Sequence, residues 1–381
     1  MAETESRPYI GGQAVIEGVM MRSPRSFSIV VRRKSGELVV RERPVSSAKT
    51  GSPGGVARWP FFRGVVTLVE AIKLGSEALR FSSEIYESDH SDDAPPPRSG
   101  RSGGGALTAL AYSVAALATS DPEPEGSGSG RPGTTSEGRG RRLLSVVTIL
   151  FAVLLFVVLP QAAASLANRA GGFALDLRSP LFQALTGAFK LTIVVGYLLL
   201  IRRLPEIRRV FQYHGAEHKT ISTYEAAEAL VVENARKKST LHARCGTTFL
   251  VMVALVSIVV FTAIAPLLPR FQVGGVVENV LLLLLKLPFL PVVAAVTFEI
   301  QRIFARYCTK GPLRAVLWPG FLVQKITTIE PDDDQLEVAL SSLKATLWRE
   351  RAASVAPDGP TDRTFVDFAA LAADPGYGRA A

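Results

Sequence analysis

The chain has 381 residues, of which 48% are hydrophobic, and it carries a formal net charge of +9 at pH 7. This much apolar material supplies either two soluble domains or one domain together with a membrane bundle. The sequence shows no pattern typical of RNA or DNA binding. Basic residues near anionic lipid headgroups account for the charge, so no nucleic-acid partner is expected. The two cysteines, Cys245 and Cys308, do not make a disulfide framework and are expected to be reduced thiols.

The N-terminal residues 1–87 are predicted to form a small cytosolic α+β unit. No cleavable signal peptide is expected, because residues 1–8 are polar and no apolar stretch follows them. Two alternating segments, Phe27 to Arg33 and Glu37 to Arg43, predict a β-hairpin. Apolar residues at helical spacing predict a helix from Phe61 to about Tyr86.

The segment from Gly11 to Met20 precedes this hairpin and combines paired glycines with one carboxylate. Glycine permits tight turns and close approach of backbones. The segment is therefore either a loop folded over a functional site, to which Gln13 and Glu17 contribute polar groups, or a turn that leads into the hairpin.

Residues 88–140 are rich in Pro, Gly, Ser and Asp, which is typical of a disordered linker. The apolar run from Ala106 to Thr119 within this stretch is too short to cross a bilayer. We therefore assign it to the linker.

Four apolar stretches beyond the linker approach or exceed the ~20 residues that a membrane helix needs. They are Leu143 to Leu166, Leu181 to Ile201, Thr247 to Leu268 and Val280 to Phe298. Lysine and arginine are concentrated before the first stretch and in the loop after the second, which predicts that both termini and this loop are cytosolic. The chain is thus predicted to be a multi-pass protein of the cell inner (plasma) membrane, with the lipid bilayer as its partner.

The loop after the second stretch contains the main chemical motif. Pro205 is placed to begin a helix that continues to about Leu230. On its apolar face, His214, Glu217 and His218 form H-x-x-E-H, the inverzincin pattern, in which two imidazoles bind a metal and the carboxylate activates water. The histidines are about 6 Å apart along the helix axis. This spacing allows both to bind one divalent ion, which we predict to be zinc.

A third ligand must come from another segment. The nearest donors are His242 and Cys245, spaced H-x-x-C. Glu299 is an alternative ligand, whereas Glu225 lies too far along the helix and is better placed to orient a ligand. Other interpretations stay open: all four His and Cys donors form a closed structural zinc site, the histidines only form hydrogen bonds, or Cys245 is a nucleophile with a histidine base.

The C-terminal region is predicted to contain one further helix. Pro331 to Asp334 supplies its start, and four leucines between residues 336 and 347 lie on one face. The chain after Arg351 is predicted to be disordered. The predicted segments are residues 1–87 (cytosolic α+β unit), 88–140 (linker), 141–201 (membrane helices one and two), 202–246 (cytosolic histidine loop), 247–300 (membrane helices three and four), 301–351 (cytosolic helical segment) and 352–381 (tail).

Seven short segments carry a resemblance to a known family. They are Gly11–Met20, Tyr213–Lys219, Tyr224–Glu225, Val232–Asn234, Leu241–Gly246, Glu330–Asp333 and Glu337–Ala339. In this order they resemble the YqhQ-like family (domain of unknown function 1385), bacterial multipass membrane proteins described as predicted metal-dependent enzymes. The resemblance covers about residues 9–345. It implies an integral membrane protein with a metal site at His214, Glu217, His218 and His242.

The expected fold is mainly α: a polytopic membrane helical bundle of about four spans, with a small cytosolic α+β unit at the N-terminus. The expected function is that of a zinc-dependent hydrolase, in which the two motif histidines bind the metal, His242 or Cys245 completes the ligand set, and Glu217 is the general base. The alternative is a non-catalytic membrane scaffold or assembly factor. A transporter is less favoured, because the spans contain few charges beyond Lys190 and Lys286.

Overall fold

The structure is a computed structural model that describes residues 7–45, 62–90, 153–243, 245–269, 275–307, 317–352 and 359–378, with a few isolated residues between these ranges. It is mainly helical, with one antiparallel sheet. The strands are β1 (Gly11–Val15), β2 (Gly18–Arg22), β3 (Ser26–Arg32), β4 (Leu38–Pro44) and β5 (Thr361–Phe365). The helices are α1 (Phe62–His90), α2 (Leu159–Ala170), α3 (Pro180–Ile201), α4 (Pro205–Glu225), α5 (Val232–Arg236), α6 (Gly246–Ile264), α7 (Gly275–Lys286), α8 (Leu290–Tyr307), α9 (Trp318–Thr327), α10 (Asp333–Arg351) and α11 (Phe368–Ala373).

The sheet is an antiparallel meander in which each strand pairs with the next, in the order β1-β2-β3-β4-β5. The predicted hairpin corresponds to β3 and β4, which pair from Ser26 opposite Pro44 to Arg32 opposite Leu38. Gly36 lies in the turn between them at a φ of 93°, which glycine adopts without steric cost. The segment from Gly11 to Met20 forms β1, a turn and the start of β2.

Helix α10 covers one face of the sheet. Alternate residues of a strand point to opposite faces, and on β3 the α10 side carries Ser26 and Ser28. Ser26 Oγ donates to the Thr346 carbonyl and Ser28 Oγ donates to the Ser342 carbonyl, each at 2.7 Å. These small hydroxyl side chains bring the helix backbone close to the strand while satisfying each buried polar group.

Helix α1 covers the opposite face of the sheet. Its buried residues Leu74, Ala78 and Phe81 pack in one cluster with Phe27 and Ile29 of β3. Helix α1 also contacts α8. The sheet is therefore enclosed by two helices, and one of them connects it to the apolar helices.

Two helical stretches, Pro180–Ile201 and Val277–Phe304, are long and apolar enough to cross a membrane by length and composition. The stretches Leu154–Ala170 and Val251–Leu267 are apolar but shorter. Two of the four expected spans thus meet this criterion among the described residues. The first expected span begins at residue 143, and its start lies outside the described residues. The predicted linker beyond residue 90 also lies outside them.

The C-terminal tail is ordered, so the prediction of disorder is wrong for the residues described there. Strand β5 pairs with β4 from Thr361 opposite Glu42 to Phe365 opposite Leu38. Leu371 and Tyr377 are fully buried. The tail sequence has no strong periodicity of its own, and its order comes from covering the open edge of β4 and from packing on α10.

The substitution Leu371→Ala should release this tail. Removing a fully buried leucine side chain costs about 2–5 kcal/mol, and Leu371 lies in the same apolar cluster as the tail residue Tyr377. Limited proteolysis followed by mass spectrometry should show faster cleavage after residue 352 than in the wild type. Val366→Ala is the control, because Val366 is 75% exposed and its truncation should leave the cleavage rate unchanged. Equal protection in both variants would contradict the prediction.

Candidate metal centre

Helix α4 presents the histidine motif toward the interior of the protein. Pro205 occupies its first turn, where a missing N–H costs nothing. The helix ends at Glu225, five residues before the predicted end at Leu230. His214 and His218 lie one turn apart on the buried face, with ring centroids 4.5 Å apart. The predicted convergence of the two imidazoles is thus present in the structure.

Backbone carbonyls fix the orientation of both rings. His214 Nδ1 lies 2.9 Å from the carbonyl oxygen of Thr327, and His218 Nδ1 lies 2.5 Å from that of Thr240. A carbonyl can only accept, so each Nδ1 donates and each Nε2 is left as the nitrogen available for a ligand. A backbone acceptor on the distal nitrogen is the arrangement common to metal-binding histidines.

Cys245 completes a group of three donors. Its Sγ atom lies 3.2 Å from His214 Nε2. The ligand atoms of His214, His218 and Cys245 all lie within 4.8 Å of one another, and all three residues are buried. His218 Nε2 is buried without a hydrogen-bond partner among the described residues. An orphaned imidazole nitrogen of this kind is costly unless something binds it.

The electrostatics of the group favour a thiolate. Burial lowers the pKa of His214, but the adjacent Cys245, together with Glu217 and the Thr327 carbonyl, more than offsets this and raises that pKa to about 9. For Cys245, burial raises the pKa, and the neighbouring His214 and His218 lower it well below its usual range. The thiolate is the form of cysteine that binds metals. A cation bound here would displace the proton held by His214.

Glu217 lies beside this group in a fully enclosed position. Burial raises the pKa of its carboxyl, and His214 and His218 oppose that effect. Its Oε2 atom is buried without a hydrogen-bond partner among the described residues. A Cβ atom at Gly12 would lie 2.8 Å from Glu217 Cγ and Oε1. The absence of a side chain at Gly12 therefore lets β1 lie directly against the carboxylate.

Gly215 allows another close approach within the motif. A Cβ atom there would lie 2.2 Å from the carbonyl oxygen of Ile329. The Ile329 N–H donates to the Phe211 carbonyl at 3.0 Å. The chain after α9 therefore crosses α4 in direct backbone contact, and this crossing positions the Thr327 carbonyl against His214. Sequence analysis offered a close backbone approach at the paired glycines without naming its partner, and it assigned no role to Gly215 or to either carbonyl-bearing threonine.

A buried lysine fastens the segments around the site. Lys219, only 3% exposed, donates to the Arg236 carbonyl at 2.9 Å and pairs with the Glu330 carboxylate. It thereby joins α4 to α5 and to the segment that crosses at Ile329. The histidine-bearing helix is thus fixed from both sides.

The other predicted site residues lie outside the group of three. His242 Nε2 lies 3.4 Å from Glu225 Oε2, and burial lowers the pKa of His242. Its ring centroid is 5.7 Å from that of His218, so His242 borders the site without joining the donor group. Glu225 therefore lies beside His242, which borders the site, and not within the donor group.

Glu17 and Glu299 are not among the clustered His, Cys, Asp and Glu donors of the described residues. Gln13 lies on β1 opposite Met20, and Glu299 is half-buried on α8. Glu17, in the β1–β2 turn, accepts two hydrogen bonds from the Arg209 guanidinium at 2.5 Å each. Its role is to hold the hairpin on α4.

The residues present fit a transition-metal ion. Two imidazole nitrogens and a thiolate are ligands typical of zinc. The unpartnered His218 Nε2 and the fixed Nδ1 hydrogen bonds are what a bound ion requires. The structure thus supports a site that can hold a metal, built from His214, His218 and Cys245.

Gly215→Ala should disturb this centre from outside the donor set. The added methyl group overlaps the Ile329 carbonyl, which is backbone and cannot rotate away. We expect a loss of about 1–3 kcal/mol in stability, measured as a lower Tm in detergent. The matched control is Gly196→Ala on α3, where a Cβ atom meets nothing within 4 Å. An unchanged Tm for Gly215→Ala would contradict the direct backbone crossing.

Comparison with known proteins places the chain in a family. The uncharacterized protein YqhQ of Bacillus subtilis (strain 168) is 30% identical over 360 residues, which cover 92% of this chain and 96% of that protein. No solved structure matches the chain. Residues 59–349 match the family described as "Protein of unknown function (DUF1385)", and the chain therefore belongs to this family.

Proposed function

We propose that the protein is a multi-pass protein of the cell inner (plasma) membrane, with four crossing segments and with both termini and the metal centre in the cytosol. Two stretches that meet the criteria for a membrane span support this, together with the apolar helices Leu154–Ala170 and Val251–Leu267. The basic residues of the loop 202–246 favour a cytosolic position for the histidines.

We further propose that the centre binds one zinc ion through His214, His218 and Cys245. The observation that carries this proposal is the convergence of their ligand atoms within 4.8 Å, with both Nδ1 atoms committed to backbone carbonyls. Closed structural zinc sites have four protein ligands, whereas catalytic sites have three and keep one position open. The position of His242 beside Glu225 favours the second class.

In this proposal the protein is a metal-dependent hydrolase. A zinc ion supplies Lewis acidity, which promotes the loss of a proton from water near neutral pH. Glu217 is the general base that accepts this proton, and its unpartnered Oε2 atom is the group available for it. Burial raises the pKa of the carboxyl, which makes it a stronger base than an exposed glutamate. Gly12 and β1 limit access to it from one side.

A second candidate is a membrane scaffold or assembly factor in which the metal is structural. The burial of all three donors favours it, because substrates reach an enclosed site less readily. In that case the ion ties α4 to the start of α6. Glu217 would then contribute only charge compensation.

Metal content of the detergent-purified protein tests the site. Elemental mass spectrometry should find about one zinc ion per chain in the wild type and in Glu217→Gln, and none in His214→Ala. Glu217→Gln preserves the shape of the side chain and removes its basicity. A wild-type protein that holds no metal after reconstitution with zinc would contradict the proposed site.

The same variants separate enzyme from scaffold. The zinc-loaded wild type is assayed against peptide, lipid-ester and small-amide substrates, and Glu217→Gln should lower turnover by about 10²–10⁴-fold while retaining zinc. Equal turnover in this variant would remove the assigned base. A zinc-loaded protein inactive on the whole panel would favour the scaffold.

The proposed topology predicts which residues a membrane-impermeant maleimide reaches in intact cells. A cysteine placed at Ala170, exposed at the end of α2, should react, because that loop lies outside the cytosol. Lys237→Cys, also exposed but in the histidine loop, should react only after the membrane is permeabilised. The opposite pattern would invert the topology.

A further inference from the structure

Two lysines lie on the apolar helices, far from the metal centre. Lys190 is on α3 and Lys286 at the end of α7, and both fall within the stretches that meet the criteria for a membrane span. An ionisable residue at such a position is costly and usually marks a functional pathway or site. Lys286 is only 8% exposed.

Both lysines contact the interface between α3 and α6. On α3, Gln183, Gly187 and Lys190 share one face at helical spacing. A Cβ atom at Gly187 would lie 2.4 Å from Ile258, so this glycine lets α3 and α6 pack closely. On α6, the neighbouring Ser257 then lies opposite Lys190.

Each lysine contacts polar or aromatic groups of this interface. Lys190 Nζ lies 3.4 Å from Ser257 Oγ, and Lys286 Nζ donates to Gln183 Oε1 at 2.9 Å. Lys286 Nζ also lies 5.7 Å from the ring centroid of Phe261, one turn after Ser257 on α6. An ammonium group has three N–H donors, so these neutral contacts leave donors on both lysines for a ligand.

No carboxylate of the described residues lies within ion-pair distance of either lysine. The sequence has no aspartate or glutamate in residues 181–205, 246–277 or 279–298. Glu278 lies about 12 Å from Lys286 along α7. Lys286 is buried and Lys190 is half-buried. A positive charge held away from water without a counter-charge is unfavourable, and an anion bound between the two lysines would offset that cost.

We propose that Lys190 and Lys286 form a binding site for a phosphate-type oxyanion, at the interface of α3, α6 and α7 and away from the metal centre. Phe261 lies about 24 Å along α6 from Cys245, so the two sites are separate. Lysine binds phosphate as a point charge, and the ligand is either a lipid headgroup phosphate or a free phosphate. The proposal rests on the membrane placement proposed above, but on neither the zinc ion nor hydrolysis.

Thermal unfolding of the full chain in a neutral detergent tests this site. One arm adds inorganic phosphate at constant ionic strength with chloride as the reference salt. The other adds phosphatidylglycerol to the micelles with phosphatidylcholine as the reference lipid. The wild-type Tm should rise by about 2–4 °C at saturation. A response to phosphate assigns a free anion, and a response to phosphatidylglycerol alone assigns a lipid headgroup.

Variants separate this site from general charge effects. Lys190→Met and Lys286→Met should abolish the rise and, without anion, be at least as stable as the wild type, because each removes an unpaired buried charge. Lys190→Arg should retain the rise. Lys237→Met, at an exposed position outside the bundle, should behave like the wild type.

Two outcomes would overturn the proposal: no response of the wild type to either addition, or a response that persists in both methionine variants. Zinc content measured on the same preparations should be unchanged in every lysine variant. Failure of the metal centre and failure of the oxyanion site are thereby distinguished. A chain released from cells without detergent would instead contradict the membrane placement.

Discussion

The hydrogen bonds from His214 and His218 to the carbonyls of Thr327 and Thr240 set the chemistry of the motif. A backbone carbonyl neither titrates nor rotates, so it holds the proton on Nδ1 at any pH at which the fold persists. Both Nε2 atoms then face the Cys245 thiolate. Two histidines at this helical spacing are common on buried faces, but only this fixed tautomer makes them a pair of ligands.

The position of the Thr327 carbonyl depends on the packing of α10. Helix α10 packs on the sheet, on α4 and on α5, so the chain entering α10 must pass close to α4. Gly215 permits that passage, and Lys219 fastens it from the other side. The hydroxyl contacts between β3 and α10 hold the helix close to the sheet. The geometry of the candidate metal centre thus depends on the packing of α10 against the sheet.

The local part of this arrangement was predictable from sequence. The spacing of His214 and His218 fixes their common face, and Cys245 was a candidate because of its nearness in sequence. The long-range part was not. The separation of His242 from the donor group, the contact of Gly12 with Glu217 and the docking of β5 on β4 depend on tertiary contacts. No periodicity in the tail sequence predicts the docking of β5 on β4. The β3–β4 hairpin was recognised because its alternation and its turn are both local.

The charges of the two proposed sites are too far apart to offset each other. When ionised, Cys245 and Glu217 place two negative charges in an enclosed site, which a divalent cation would balance. Lys190 and Lys286 contact α6 at Ser257 and Phe261, which lie about 18 Å and about 24 Å along that helix from Cys245. At those distances, with an effective dielectric constant near 20, a pair of unit charges attracts by only about 0.7–0.9 kcal/mol. This is far less than the cost of burying a charge without a partner, so the two groups of charges cannot neutralise each other. The cation proposed at the histidine cluster and the oxyanion proposed at the lysines are therefore independent of each other.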